Sequence, residues 1–179
     1  MKVCTFPISG LLLLELDVHR DSRGFFLERS NERVLAQHGI ASRFVQCNHS
    51  RSLPRVLRGL HFQESPPQSK LVGVVRGAVW DVAVDLRPGS PTYGQHQGVE
   101  LDGEKGHVFW IPAGFAHGFC VVGNEPADML YQVDALFSPA GDRGIAWNDP
   151  DLAIQWPIQN PVLSAKDLAL PRLKATSLS

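Results

Sequence analysis

AVWDVAVDL, residues 78–86, is the stretch whose reading decides the fold. Trp80, Val82, Val84 and Leu86 share one side of an extended chain, and Val79, Asp81, Ala83 and Asp85 share the other. That spacing predicts a strand, because successive side chains of an extended backbone point to opposite faces. Arg87-Pro88-Gly89-Ser90-Pro91 then stops it with turn-forming residues. The same grammar repeats outward. Lys70 opens a strand in KLVGVV, and Val99 to Leu101 ends at an Asp102-Gly103 turn. His107 to Ile111 ends at Pro112-Ala113-Gly114, and Phe115 to Val122 follows at once. Leu11 to Leu14 is an apolar run bounded by Gly10 and Glu15, short enough for a strand and too short for a leader or a membrane span.

Strands this short and this regularly punctuated predict an all-β, antiparallel sandwich or jelly roll. An open α/β sheet needs helical patterns between its strands, and the stretch from Phe44 to Phe137 has none. One helix is expected before the C-terminal region, from about Asn31 to His38, with Ser30 or Asn31 as its cap and Gly39 at its end. Beyond Asp149 the apolar residues lose their period of two, which predicts short helices and loops. No repeat or linker interrupts the chain, so residues 1–179 are expected to form a single domain.

Composition excludes several classes of function. Hydrophobic residues make up 44% and charged residues 20%, which is ordinary globular usage rather than a disordered or membrane-spanning one. The formal net charge of -1 offers no basic face, so neither nucleic acid nor a membrane surface is expected as a partner. Cys4, Cys47 and Cys120 are odd in number and show no paired spacing. They read as reduced thiols in a cytoplasmic protein.

Seven histidines raise the question of metal, since a jelly roll can hold an ion with a His-x-His pair, a carboxylate and a later His. Only single histidines occur here, His61 in GLHFQ and His117 in FAHGF, so no metal and no other cofactor is expected. If the segment stays extended from Arg58, Leu60 and Phe62 fall on one side, while Gly59, His61 and Gln63 line the other. By itself His61 reads better as a hydrogen-bonded core histidine than as a catalytic group. Gln46 and Asn48 share a face in FVQCNHS and could read a planar amide such as a pyrimidine edge. Tyr131 sits alone in an apolar run, MLYQV, and its phenol needs a partner if buried. Arg23 and Arg58 are candidates for phosphate, Lys70 could reach inward, and Asp167 in SAKD could be an ordinary helix-start acid.

Taken together, the segments DSRGFFLE (21–28), FVQCNHS (44–50), VLRGLHFQ (56–63), KLVGVVRGAVWDVAVDLRPGSPTYG (70–94), WIPAGFAHGF (110–119), WNDPDLAIQWP (147–157) and LSAKD (163–167) resemble the dTDP-4-dehydrorhamnose 3,5-epimerase family. They occur in the family's order and span nearly the whole chain. The resemblance implies a metal-independent, cupin-type jelly roll acting on a dTDP-linked 4-keto-6-deoxy sugar. It implies a homodimer in which the segment around Phe25 and Glu28 reaches the partner's nucleotide. It also implies roles: His61 as base, Asp167 as its orienting partner, Tyr131 as acid and Lys70 at the enolate oxygen. Arg23, Phe25, Glu28, Gln46, Asn48, Arg58, His117, Asp142 and Lys166 match positions that bind the nucleotide or sugar.

The chain departs from the family pattern at four places. Gln132 stands where a Lys is common, Leu136 and Phe137 where a pair of tyrosines is usual, Gly73 where an Arg is common, and Cys47 where an acid is common. None touches His61, Asp167, Tyr131 or Lys70, so the departures bear on which sugar is taken and on whether C3, C5 or both are inverted. The rival expectations are a mono-epimerase of an unusual deoxysugar, a metal-dependent cupin enzyme and a non-catalytic nucleotide-sugar binder.

Overall fold

The computed structural model describes residues 1–41 and 43–176. The strands of its first half are β1 (Lys2–Thr5), β2 (Leu12–Glu15), β3 (His19–Asp21), β4 (Gly24–Phe26), β5 (Gln46–Ser52), β6 (Leu57–Gln63) and β7 (Lys70–Arg76). The second half adds β8 (Ala78–Asp85), β9 (His96–Asp102), β10 (His107–Ile111), β11 (Phe115–Val122), β12 (Ala127–Val133) and β13 (Asp142–Gly144). Two short helices, α1 (Glu32–Gln37) and α2 (Ala165–Leu168), and a 3-10 turn at Leu173–Ala175 complete the elements.

The strands pair antiparallel into two facing sheets. One has the order β1-β2-β10-β7-β12-β5 and the other β13-β6-β11-β8-β9, with β3 and β4 as a separate hairpin. This is the antiparallel sandwich expected from the short, regularly punctuated strands, and it agrees with the cupin-type fold that the family resemblance implies. The Asn31 side chain caps α1 by accepting from the backbone N–H groups of Arg33 and Val34, and Gly39 follows the helix at a φ of 81°. Such a φ suits glycine, which has no Cβ to clash.

Alternation along each strand sorts side chains into three layers. Val72 and Val74 of β7, Phe109 and Ile111 of β10, Phe119 and Val121 of β11, and Met129 of β12 meet between the sheets. Trp80, Val82, Val84 and Leu86 lie on the opposite side of β8, packed with Leu60, Phe62, Ile145 and Leu152. The outer face of the longer sheet buries Leu14, Leu71, Val108 and Trp110 beneath Leu35 of α1 and Ile40. Each such apolar side chain removed from water stabilises by about 1.5–3 kcal/mol. Both faces of β8 are therefore covered, which is why its outward positions carry Trp, Val and Leu and no charges.

The inter-sheet layer turns polar toward one end. On β7 the inward row that holds Val74 and Val72 continues to Lys70, and on β12 the row of Ala127 and Met129 continues to Tyr131. On β11 His117 occupies the inward row between Phe115 and Phe119, and on β8 Asp81 stands between Val79 and Ala83. Polar residues in the core face of four strands open the sandwich there and define the site.

Candidate active site

A cavity of about 360 Å³ opens between the sheets at this end. Asn48, Ser50, Lys70 and Tyr131 line it from the longer sheet, and Arg58, His61, His117 and Phe119 from the shorter one. Ser164, Lys166 and Asp167 close one side from the C-terminal segment.

His61 does not reach the cavity by simple alternation from Arg58. His117 pairs with His61 and Phe119 with Arg58, so two steps on β11 oppose three on β6. An extra residue of this kind is a bulge, which re-aims side chains. It turns Arg58 and His61 to the same cavity, whereas unbroken extension would have placed Arg58 on the side of Leu60 and Phe62. From Leu60 onward the expected alternation holds: Leu60 and Phe62 are buried in the outer layer and His61 faces inward. Gly59 permits the close strand approach, since a Cβ there would lie 2.6 Å from the Gly118 Cα.

A short polar contact joins His61 Nε2 to Asp167 Oδ1, at 2.6 Å. Asp167 is 4% exposed and fixed at both ends of its carboxylate. Ser164, the cap of α2, donates its hydroxyl to Oδ2 at 2.8 Å and accepts the Asp167 backbone N–H at 3.0 Å. Only Oδ1 is left for the imidazole. The chain returns to β6 through a parallel bridge between Val56 and Val162, and this docks α2 beside His61. Burial pulls the His61 pKa below its ordinary value, and the Asp167 carboxylate pushes in the opposite direction. The ring is thereby kept neutral near pH 7 with Nε2 engaged, leaving Nδ1 as its free base.

Lys70 donates from Nζ to the His61 carbonyl at 3.1 Å. Burial lowers its pKa to about 8, against the pull of the Asp81 and Asp142 carboxylates. His117 Nε2 lies 3.0 and 2.9 Å from the two oxygens of Asp81, which is fully buried. Tyr131 stacks edge-on against His117 at 6.2 Å and is tilted on Phe119 at 6.3 Å. Its hydroxyl lies 2.8 Å from Ser50 Oγ. Burial pushes the phenol pKa well up, so the group is a protonated acid at any neutral pH.

Of the residues expected at the site, Asn48, Arg58, His61, Lys70, His117, Tyr131, Lys166 and Asp167 line this one cavity. Gln46 lies beside it, donating to the Asn48 side chain at 2.8 Å and accepting the Phe137 N–H at 3.0 Å. Asp142 pairs with Lys166. Arg23, Phe25 and Glu28 are not brought in. Arg23 and Phe25 belong to the exposed β3–β4 hairpin, where Arg23 pairs with Asp21, and Glu28 accepts from Asn31. Sequence reasoning passed over Ser50, Asp81 and Ser164. Each had a signal: Ser50 continues the row of Gln46 and Asn48, Asp81 is a carboxylate in a core-facing row, and Ser164 precedes Asp167 by the three residues of a cap.

None of the four departures lines the cavity. Gly73 and Gln132 line a cleft of about 110 Å³ with Arg29 on the outer face of the longer sheet. A Cβ at Gly73 would stand 3.4 Å from Arg29 Nη1, and Gln132 donates to Ser30 Oγ. Leu136 and Phe137 are exposed, in a loop that Gln46, Gln63 and Gln68 hold by its backbone. Cys47 is exposed on β5, whose register pairs it with Gln132.

A cupin-type sandwich with a half-buried histidine on a buried aspartate at one wall and a protonated tyrosine on the other defines a class: an isomerase pocket built for moving protons. Comparison with known proteins narrows the class. A profile of the dTDP-4-dehydrorhamnose 3,5-epimerases matches residues 5–175, and the chain belongs to that family. It is 50% identical over 169 residues to the dTDP-4-dehydrorhamnose 3,5-epimerase of Pseudomonas aeruginosa, covering 93% of each chain. Against the enzyme of that name from Shigella flexneri it is 48% identical over 170 residues, covering 94% of this chain and 93% of the relative. A solved structure of a dTDP-6-deoxy-D-glucose-3,5-epimerase from Legionella pneumophila, in complex with dTDP-4-keto-L-rhamnose, superposes with a TM-score of 0.94. That pair is 46% identical and covers 98% of this chain and 94% of the other.

Proposed function

We propose that the protein converts dTDP-4-keto-6-deoxyglucose to dTDP-4-dehydrorhamnose by inverting C3 and C5, each next to the 4-keto group. One observation carries the reading: His61, locked to Asp167, and Tyr131 stand on different sheets and line one cavity. Inversion needs a proton removed from one face of a carbon and returned to the other, so base and acid must be separate groups on separate walls. His61 Nδ1 takes the proton, and the electron pair of the broken C–H bond moves into an enolate. The Lys70 ammonium faces the enolate oxygen, and Asp167 holds the imidazolium. Tyr131 delivers a proton to the opposite face of the same carbon. General acid–base action contributes about 10²–10⁴-fold and enolate stabilisation about 10²–10³-fold.

Asn48, Arg58, His117 and Lys166 line the space left for the sugar and diphosphate, with Gln46 and Asp142 behind them. In this reading Arg23, Phe25 and Glu28 act across a homodimer, each hairpin serving the partner's cavity. Their exposure outside the cavity of their own chain supports that arrangement. The chain would act as one catalytic domain in the cytoplasm; no described helix is long and apolar enough to cross a membrane.

The test is incubation with dTDP-4-keto-6-deoxyglucose in deuterated water. Deuterium is expected at both C3 and C5 of the product. Label at one carbon alone would reassign the protein as a mono-epimerase, and binding without any label as a carrier. Activity lost to chelator would replace the proton-relay reading with a metal-dependent one.

A further inference from the structure

Ser50 is the hydrogen-bond partner that the described residues provide to the Tyr131 hydroxyl. The two lie on neighbouring strands, where Tyr131 pairs with Asn48 and Met129 with Ser50, so the phenol leans diagonally toward the serine. Elsewhere Tyr131 meets the rings of His117 and Phe119. One position further along the same row, Ser52 accepts the Arg58 Nε–H at 2.9 Å and steadies that guanidinium near the phenol.

A hydroxyl either accepts a proton from its neighbour or donates one to it. If the phenol O–H points at Ser50, it is not aimed at a substrate carbon. Once the phenol has given its proton away, its oxygen is an anion in a buried place, and only a donor can hold it there. Both demands are met when Ser50 donates to the phenol oxygen.

We propose that Ser50 is a positioning residue for the acid: its hydroxyl donates to the Tyr131 oxygen, aims the phenol O–H into the cavity and holds the phenolate left after delivery. The enolate electron pair forms the new C–H bond as the Tyr131 O–H bond breaks. Tyr131 regains a proton through the Ser50 hydroxyl, which takes one from water in the cavity, while the His61 imidazolium returns its proton to water. Each turnover leaves all three side chains as they began. Burial and the Asp81 carboxylate oppose the phenolate, and Ser50 and Arg58 favour it.

The inference rests on Tyr131 as the acid, so the experiment includes Tyr131→Phe. Wild type, Ser50→Ala, Ser50→Thr and Tyr131→Phe are given the keto sugar in deuterated water, and exchange and net inversion are followed separately. In Ser50→Ala, exchange is expected at the wild-type rate while inversion slows by about 10- to 100-fold, the worth of a hydrogen bond to a charged group. Ser50→Thr, which keeps the hydroxyl, is expected to restore inversion. A folded Ser50→Ala protein with the wild-type ratio of exchange to inversion overturns the proposal, as does a folded Ser50→Thr protein no better than Ser50→Ala. If Ser50→Ala does not fold, Ser50→Cys supplies a weaker donor of similar size and is read the same way. Normal inversion by Tyr131→Phe would remove the acid itself; loss of inversion there but not in Ser50→Ala would remove only the role of Ser50.

Discussion

His61 Nε2 and Asp167 Oδ1 lie 2.6 Å apart although 106 residues separate them in the chain. The pair is not an incidental ion pair, because Ser164 occupies the other carboxylate oxygen and leaves the imidazole a single docking point. Through it Asp167 governs both the direction of the ring and its proton affinity.

Asp167→Asn is therefore expected to cost about 10²–10⁴-fold in kcat/KM, the range of an oriented general base. The carboxylate raises the His61 pKa against burial. Removing its charge lets the pKa fall further, so the acidic limb of the pH profile moves to lower pH. A pH series of kcat/KM for wild type and variant measures both. A limb that stays put, or that moves upward, would contradict the assigned pairing.

Lys70 bears on the other limb. In the proposed mechanism its ammonium form faces the developing enolate, and its pKa is drawn down to about 8. Activity is expected to fall as the pH rises through that value, because the cation is present below it and lost above it. Lys70→Met should lose about 10²–10³-fold at pH 7, and Lys70→Arg should carry the alkaline limb to higher pH. Retention of the same limb in Lys70→Arg would assign it to another group.

The β3–β4 hairpin gives a prediction about subunits. A His61→Asn chain keeps an intact hairpin, and an Arg23→Ala/Glu28→Ala chain keeps an intact cavity. If each hairpin serves the partner's cavity, mixing the two inactive proteins under conditions that let subunits exchange creates one complete site per hybrid. Activity should appear on mixing, measured against each variant alone. Mixing without recovery, with hybrid formation verified by mass, would return the hairpin to its own chain.

Arg29 and Gly73 give a prediction about stability rather than catalysis. Arg29 Nη1 is buried without a hydrogen-bond partner among the described residues, and it occupies the space above Gly73. Gly73→Arg would press a second guanidinium into that cleft. Unfolding in denaturant is expected to show a loss of about 1–3 kcal/mol, the usual cost of overfilling a packed site. Combining it with Arg29→Leu should recover part of the loss, since one cation and its crowding are removed. Strictly additive effects would show that the two positions do not share the space.

Much of the sandwich was legible because strand alternation is local. The period of two in residues 78–86, and the turn residues that punctuate the chain from there to Val122, predict strands whatever they pair with. The strand boundaries at His107–Ile111 and Phe115–Val122 came out as read, and β8 ended one residue early, at Asp85. Arg58 shows where local reading fails. The bulge that turns it toward the cavity is a property of two strands in register, and β6 alone carries no mark of it beyond a glycine. Gly73 and Gln132 show the same thing in reverse: they lie in segments with a functional pattern, yet both positions line the outer cleft with Arg29.

The sequence by itself determined the antiparallel class, the family motifs and the residue types able to move a proton. Only the tertiary structure decided which of them meet. His61 joins Asp167 because the Val56–Val162 bridge returns the C-terminal segment to β6, while a bulge brings Arg58 into the same cavity. Tyr131 faces the same cavity because β12 lies in the opposite sheet, and its hydroxyl finds Ser50 because β5 pairs beside it. Alternation is set by backbone sterics over a few residues, so sequence carries it. Convergence depends on register and sheet packing between distant segments, which no single segment encodes.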